Sequence, residues 1–167
     1  VTGFRFRYGG AQELYSVKPD ICTLGKIIGG GFALAAVVAS RDIMSCFDLE
    51  IVGKEKWLMQ LGTLSGNPIA CVAGLKTLEI LRRNGVYEKL YEIGLKIMNI
   101  IKEELRFQGI EHQIVGHETL FDVVFNKKTI KNYRDIFESD EQRSKKFNDI
   151  LRYEGILKSP AKIYPSL

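Results

Sequence analysis

The run Ile21-Cys22-Thr23-Leu24-Gly25-Lys26-Ile27-Ile28-Gly29-Gly30-Gly31, continued by Ala33 to Ala39, decides how this chain is read. Two short apolar runs, Ile21 to Leu24 and Ala33 to Ala39, flank a Gly25-Lys26 step and three consecutive glycines. That pattern predicts two buried strands separated by a loop. A lysine between an apolar strand and a flexible glycine run can be drawn into a dry pocket, where desolvation favours the neutral amine that attacks an aldehyde. Glycines beside it let the backbone approach a bulky planar group. A surface lysine at an ordinary turn has the same local pattern, so the stretch alone leaves both readings open.

Two other glycine-lysine devices are excluded by spacing. A phosphate loop needs G-x-x-x-x-G-K-[ST], but Asp20 stands where the first glycine belongs and Ile27 where the hydroxyl residue belongs. A dinucleotide fingerprint starting at Gly29 and Gly31 needs glycine or alanine at position 34, which is Leu34.

Outward from this core, Arg41 to Phe47 reads as a short helix and Asp48 to Lys56 as a surface loop. Gly62-Thr63-Leu64-Ser65-Gly66-Asn67-Pro68 places two hydroxyls and several backbone N–H groups just before a helix, a setting that suits a phosphate and equally a plain capped turn. Asn67 can cap that helix and Pro68 fits its first position, so Ile69 to Arg83 should be helical. Its apolar residues cover more than one face, which predicts burial on several sides. Asn84-Gly85 is the stop.

A second helix is predicted from Tyr87 to about Phe107, with Leu90, Ile93, Ile97, Ile100, Ile101 and Leu105 forming one stripe that should lie on a sheet. Gln113 to Val115 and Leu120 to Phe125 read as strands, Tyr133 to Tyr153 as a third helix, and Ile156 to Lys158 and Ile163-Tyr164 as returning strands. The order indicates α/β for the first half and α+β for the second, with a boundary near Arg82 to Gly85. The opening residues, Val1 to Arg5, read as a strand running into a loop, and both ends look cut.

With 46% hydrophobic and 10% aromatic residues the chain can build a packed core and is not a disordered segment. The net charge of +4 comes from 24 basic and 20 acidic side chains mixed together, so a nucleic-acid surface is not expected. The most apolar stretch, Ile27 to Ser40, falls short of the roughly twenty residues a membrane span needs. Cys22, Cys46 and Cys71 are an odd count inside apolar stretches, read as reduced core residues of a cytoplasmic protein. His112 and His117 lack cysteine partners, so no metal site is expected.

Taken together, Gly3-Phe4-Arg5, Tyr8-Gly9-Gly10-Ala11-Gln12, Lys18-Pro19-Asp20, Thr23-Leu24-Gly25-Lys26, Gly29-Gly30-Gly31 and Gly62 to Pro68 resemble the class III aminotransferases, which depend on pyridoxal 5'-phosphate. The Tyr-Gly-Gly-Ala-Gln and Gly-Thr-Leu-Ser-Gly-Asn-Pro segments are most similar to the glutamate-1-semialdehyde aminomutase branch. The resemblance implies an α/β fold of the pyridoxal-phosphate transferase type (aminotransferase fold type I). Residues 1–83 would be the C-terminal part of the large cofactor domain, and residues 84–167 a smaller α+β C-terminal domain.

It further implies that Lys26 carries the cofactor as a Schiff base and shuttles protons. Gly62 and Thr63 would reach the cofactor phosphate of the neighbouring subunit in a homodimer, and the substrate would be a small amino-acid derivative. Gly155-Ile156-Leu157-Lys158-Ser159-Pro160 departs from the aminomutase pattern, and no glutamate follows Glu154, which keeps an amino-acid transaminase as the alternative. A non-catalytic α/β binding module is the reading outside enzymes. The segments that should supply the pyridine-nitrogen aspartate and the first phosphate loop precede Val1 in the family. A chain of this extent is therefore expected neither to hold the cofactor tightly nor to turn over substrate alone.

Overall fold

The computed structural model describes residues 2–166 and divides the chain into two compact units, Val1–Val86 and Tyr87–Leu167. Val1 lies outside the described residues, and the strand expected to start there is not formed: Gly3–Arg5 is a turn of 3-10 helix. Phe4 is buried beneath it and tilts against Tyr8 at 5.7 Å. A tight helical turn lets Phe4 and Tyr8 meet one turn apart, which an extended strand would prevent.

In the first unit, a short helix α1 (Ala11–Leu14) leads to strands β1 (Ile21–Leu24) and β2 (Ala36–Ala39), which pair antiparallel with Ile21 opposite Ala39 and Leu24 opposite Ala36. The first strand occupies its predicted residues. The second begins three residues later than Ala33, because Gly30 and Gly31 hold φ of 57° and 94° and turn the chain away from extended geometry. Helix α2 (Arg41–Met44) follows, capped by Ser40, and the expected loop beyond it contains one further helical turn, α3 (Leu49–Val52), started by Asp48.

Helix α4 (Pro68–Leu81) starts as its cap signals require: the Asn67 side chain accepts from the Ala70 N–H at 3.1 Å, and Pro68 fills the first position. The predicted burial on several sides is not found. Ala70 and Gly74 are its buried residues, whereas Ile69, Val72 and Leu75 are 64%, 66% and 69% exposed. One face of the helix meets the turn after β1, and these three apolar side chains lie off that face. At its end Arg82 donates to the Tyr8 hydroxyl at 2.9 Å and lies over the Tyr8 ring.

In the second unit, helix α5 (Val86–Phe107) carries the predicted stripe, with Leu90, Ile93, Ile97, Ile101 and Leu105 half-buried and Ile100 exposed. It crosses a hairpin of β3 (Gln113–His117) and β4 (Leu120–Val124). Gly94 lies on the hairpin turn at Glu118, and the Tyr91 and His117 rings meet edge-on at 5.4 Å. Phe121, Val123, Val124 and Phe125 form the buried centre.

The single helix expected over Tyr133 to Tyr153 is two elements. A 3-10 segment, Tyr133–Glu138, is closed by the reciprocal Asn132/Asp135 capping box, and α6 (Glu141–Tyr153) starts at Asp140, whose side chain accepts from Arg143 N–H. The break is set by Asp140 N–H, which donates to the Phe125 carbonyl at 2.9 Å and so pulls the chain out of helical continuity. The expected strand Ile156 to Lys158 is also absent. Its lysine instead donates to Asn148 and the Pro160 carbonyl, and of the last predicted strand a single bridge, Ile163 to Phe121, remains.

Candidate functional site

Lys26 sits where β1 ends, and its backbone is unusual. Gly25 is buried and fully extended, and Lys26 then adopts φ 56°, in the left-handed region that a non-glycine residue enters at a cost on the order of 1–3 kcal/mol. The 3-10 turn Lys26–Gly29 holds it there: Ile28 is 4% exposed, Gly30 N–H donates to the Ile27 carbonyl at 3.1 Å, and Phe32 N–H to the Gly29 carbonyl at 3.0 Å. Strain maintained by a well-anchored neighbour is a mark of functional positions.

The dry pocket expected around the lysine is not formed by this chain. Lys26 is exposed, and no hydrogen bond or ion pair engages its amine among the described residues. A two-stranded sheet encloses too little space to desolvate a side chain at its edge. A cleft of about 670 Å³ runs along the same hairpin, lined by Gly9, Lys18, Asp20, Cys22 and Ser40, but Lys26 does not face it.

Gly62 and Thr63 stand at the head of α4, in a loop closed by Ser65 N–H to Gly62 carbonyl (2.9 Å) and Asn67 N–H to Leu64 carbonyl (3.1 Å). A Cβ on Gly62 would fall 2.6 Å from the Ser65 hydroxyl oxygen, so a side chain there would have to displace that hydroxyl. Among the described residues, the N–H groups of Gly62, Thr63 and Leu64 and the Thr63 hydroxyl have no partner. Several unpaired donors on one exposed loop suit an anion rich in oxygens. Among the described residues, no hydrogen bond joins this loop to Lys26 directly.

What the two places share is α4. A Cβ on Gly74, midway along that helix, would overlap the Leu34 Cδ2 and lie 2.9 Å from the Ile28 carbonyl oxygen. From the other side, a Cβ on Gly30 would overlap the Thr77 hydroxyl and lie 3.2 Å from the Ala73 carbonyl oxygen. Helix and lysine turn therefore touch through two glycines. Sequence reasoning passes over Gly74, although an isolated glycine inside a helical run often signals a close approach.

The remaining candidates carry less. His112 Nδ1 lies 2.8 Å from the Ile110 carbonyl, and His117 Nδ1 is engaged by Thr119 and Glu118. No group of three His, Cys, Asp or Glu side chains placed to hold a metal occurs among the described residues. The three cysteines are unpaired and half-buried rather than core residues. Among the described residues, no helix is long and apolar enough to cross a membrane.

The family model described as "Aminotransferase class-III" matches residues 2–162. A glutamate-1-semialdehyde 2,1-aminomutase of Neisseria gonorrhoeae is 40% identical over 161 residues, covering 96% of this chain and 36% of that protein. One from Chlamydia trachomatis serovar L2 is 39% identical, covering 96% and 37%. The chain thus spans little more than a third of the curated relatives it matches.

Among solved structures, an omega-transaminase from Sphaerobacter thermophilus superposes with a TM-score of 0.89 at 32% identity, over 99% of this chain and 38% of that one. A glutamate-1-semialdehyde-aminomutase from Pseudomonas aeruginosa PAO1 shares the fold, with a TM-score of 0.81 at 15% identity over 98% and 38%. Since the family match runs through both units and takes in the Lys26 turn as well as the Gly62 to Pro68 loop, this chain belongs to the class-III aminotransferase family.

Proposed function

We propose that this chain supplies the lysine and part of the phosphate grip of a pyridoxal-phosphate enzyme that moves amino groups, most like a glutamate-1-semialdehyde 2,1-aminomutase forming 5-aminolevulinate for tetrapyrrole synthesis. The observation that carries the reading is Lys26 itself. In a chain of this family, it is a strained, well-anchored lysine whose amine has no partner.

The residues present fit the cofactor. An unpaired primary amine is the group that condenses with an aldehyde, with loss of one water, and the Gly62 to Leu64 N–H groups with the Thr63 hydroxyl are a donor set for its phosphate. When bound, the cofactor supplies an electron sink for the carbanion formed at the substrate carbon. The chain's own part is to place and move protons. Lys26 Nζ would be the group that accepts a proton from a substrate carbon and gives it back. The left-handed backbone at Lys26 aims the side chain, and Gly62 keeps its loop bare so that phosphate oxygens can reach the backbone.

In keeping with the family resemblance, Lys26 would serve its own subunit, and Gly62 with Thr63, whose donors are open on an exposed loop, would serve the neighbour's cofactor in a homodimer. The enzyme would act in the cytoplasm. A class-III transaminase is the second reading, favoured by the segment Gly155 to Pro160 and by the likeness to the omega-transaminase structure.

The test uses protein expressed from the complete gene. The parent should develop a visible absorption band with pyridoxal phosphate, and borohydride should fix the cofactor's mass on the Lys26 peptide. Lys26→Ala should do neither. If the parent fixes no cofactor, the chain is a binding module instead. Where fixation occurs, conversion of glutamate 1-semialdehyde without any second keto acid distinguishes the aminomutase from a transaminase.

A further inference from the structure

We propose that Gly74 is a positioning residue for Lys26, an inference that rests on the role assigned to that lysine above. No bond from its own side chain keeps Lys26 in the left-handed region. What holds it is the turn that follows, and of the two glycines through which that turn meets α4, Gly74 is the one that lies beneath the Ile28 carbonyl and Leu34. Ile28 is only two residues from Lys26, so a shift of its carbonyl must be absorbed by the torsions of Lys26 and Ile27. Since right-handed and extended conformations are lower in energy for lysine, a loosened turn relaxes out of the aimed geometry.

The identity of the residue argues the same way. In the middle of a helix alanine is preferred over glycine, so glycine there reflects a need for space. That space is taken up by the lysine turn on one side of a helix whose head carries the Gly62–Thr63 loop. The seating of α4 therefore sets where the amine and the phosphate donors of one subunit stand relative to each other.

The experiment compares the parent, Gly74→Ala, Leu34→Ala and the double variant, all expressed from the complete gene. It measures the thermal midpoint without cofactor and the rate at which pyridoxal phosphate becomes borohydride-fixed on Lys26. Gly74→Ala should fix cofactor roughly tenfold more slowly or worse, whether or not its midpoint falls, because misplacing a reacting group by about 1 Å can cost on the order of a hundredfold. Leu34→Ala should slow fixation in the parent, where it loosens the turn, and speed it in Gly74→Ala, where it makes room for the added methyl. Independent sites do not couple in this way.

A Gly74→Ala protein with a lowered midpoint and the parental rate makes the glycine a packing residue only and overturns the proposal. Should Gly74→Ala fail to fold, Leu34→Ala alone decides: an unchanged fixation rate overturns it and a slowed one supports it. A parent that fixes no cofactor at Lys26 overturns the role of Lys26 itself, and the inference falls with it.

Discussion

Replacing Gly94 by alanine sets two physical effects against each other inside one helix. By helix propensity alone, the change in the interior of α5 would stabilise by about 1 kcal/mol. The added Cβ, however, would overlap the Glu118 carbonyl oxygen and lie 2.6 Å from its carbon. Glu118 belongs to the two-residue connection between β3 and β4, since His117 pairs with Leu120. Its neighbour Thr119 is 2% exposed and donates its N–H to His117 Nδ1 at 3.3 Å, so the connection cannot move aside freely. Overpacking against a fixed neighbour costs typically about 1–3 kcal/mol, and contact with backbone places this site at the upper end. The net effect is a loss of about 2 kcal/mol, which lowers the melting midpoint of a unit of this size by roughly 10 °C. Thermal denaturation gives the total, and amide exchange should show the loss of protection across α5 and the β3–β4 hairpin together. A Gly94→Ala protein with a raised midpoint would mean that propensity outweighs contact and that α5 is not seated on the hairpin as described.

Two further outcomes follow from single interactions. Asn67→Ala leaves the Ala70 N–H without its acceptor and should destabilise the start of α4 by about 1 kcal/mol, with faster amide exchange in its first turn; unchanged exchange there would count against the cap. Burial raises the carboxyl of Asp122 above its ordinary value, an effect that Lys162 at 3.6 Å only partly offsets. The folded state then holds that proton more tightly than the unfolded chain, so stability should fall as pH rises from the ordinary carboxylate value to the raised one, and stay level above it. Asp122→Asn should remove this slope, and a parent that gains stability over Asp122→Asn as pH rises through that window would contradict the assignment.

Local structure in this chain is legible wherever short-range physics decides it. The Asn67-Pro68 start of α4, the stripe of α5 and the strand Ile21 to Leu24 follow from caps and periodicity, because those signals act within a few residues. The Tyr133 to Tyr153 segment escapes such reading, since the break at Asp140 depends on the carbonyl of Phe125, far away in sequence. The returning strands near the C-terminus escape it for a related reason: β-pairing requires a partner edge, and among the described residues this segment's pairing is the single bridge of Ile163 to Phe121.

For the candidate site, residue types alone left Lys26 and the Gly62 to Pro68 loop each with a plain structural reading, and it was the resemblance carried by the ordered motifs that pointed to Lys26, Gly62 and Thr63. Tertiary structure alone decided how they are held. The left-handed backbone of Lys26 and the exposure of its amine are seen only in the folded chain, and the seating of its turn on Gly74 joins Ile28 to a residue 46 positions later, beyond the reach of any short-range signal. A contact between two glycines' neighbours leaves no mark in either segment beyond the absence of a side chain, and that absence acquires its meaning only when the two surfaces are brought together.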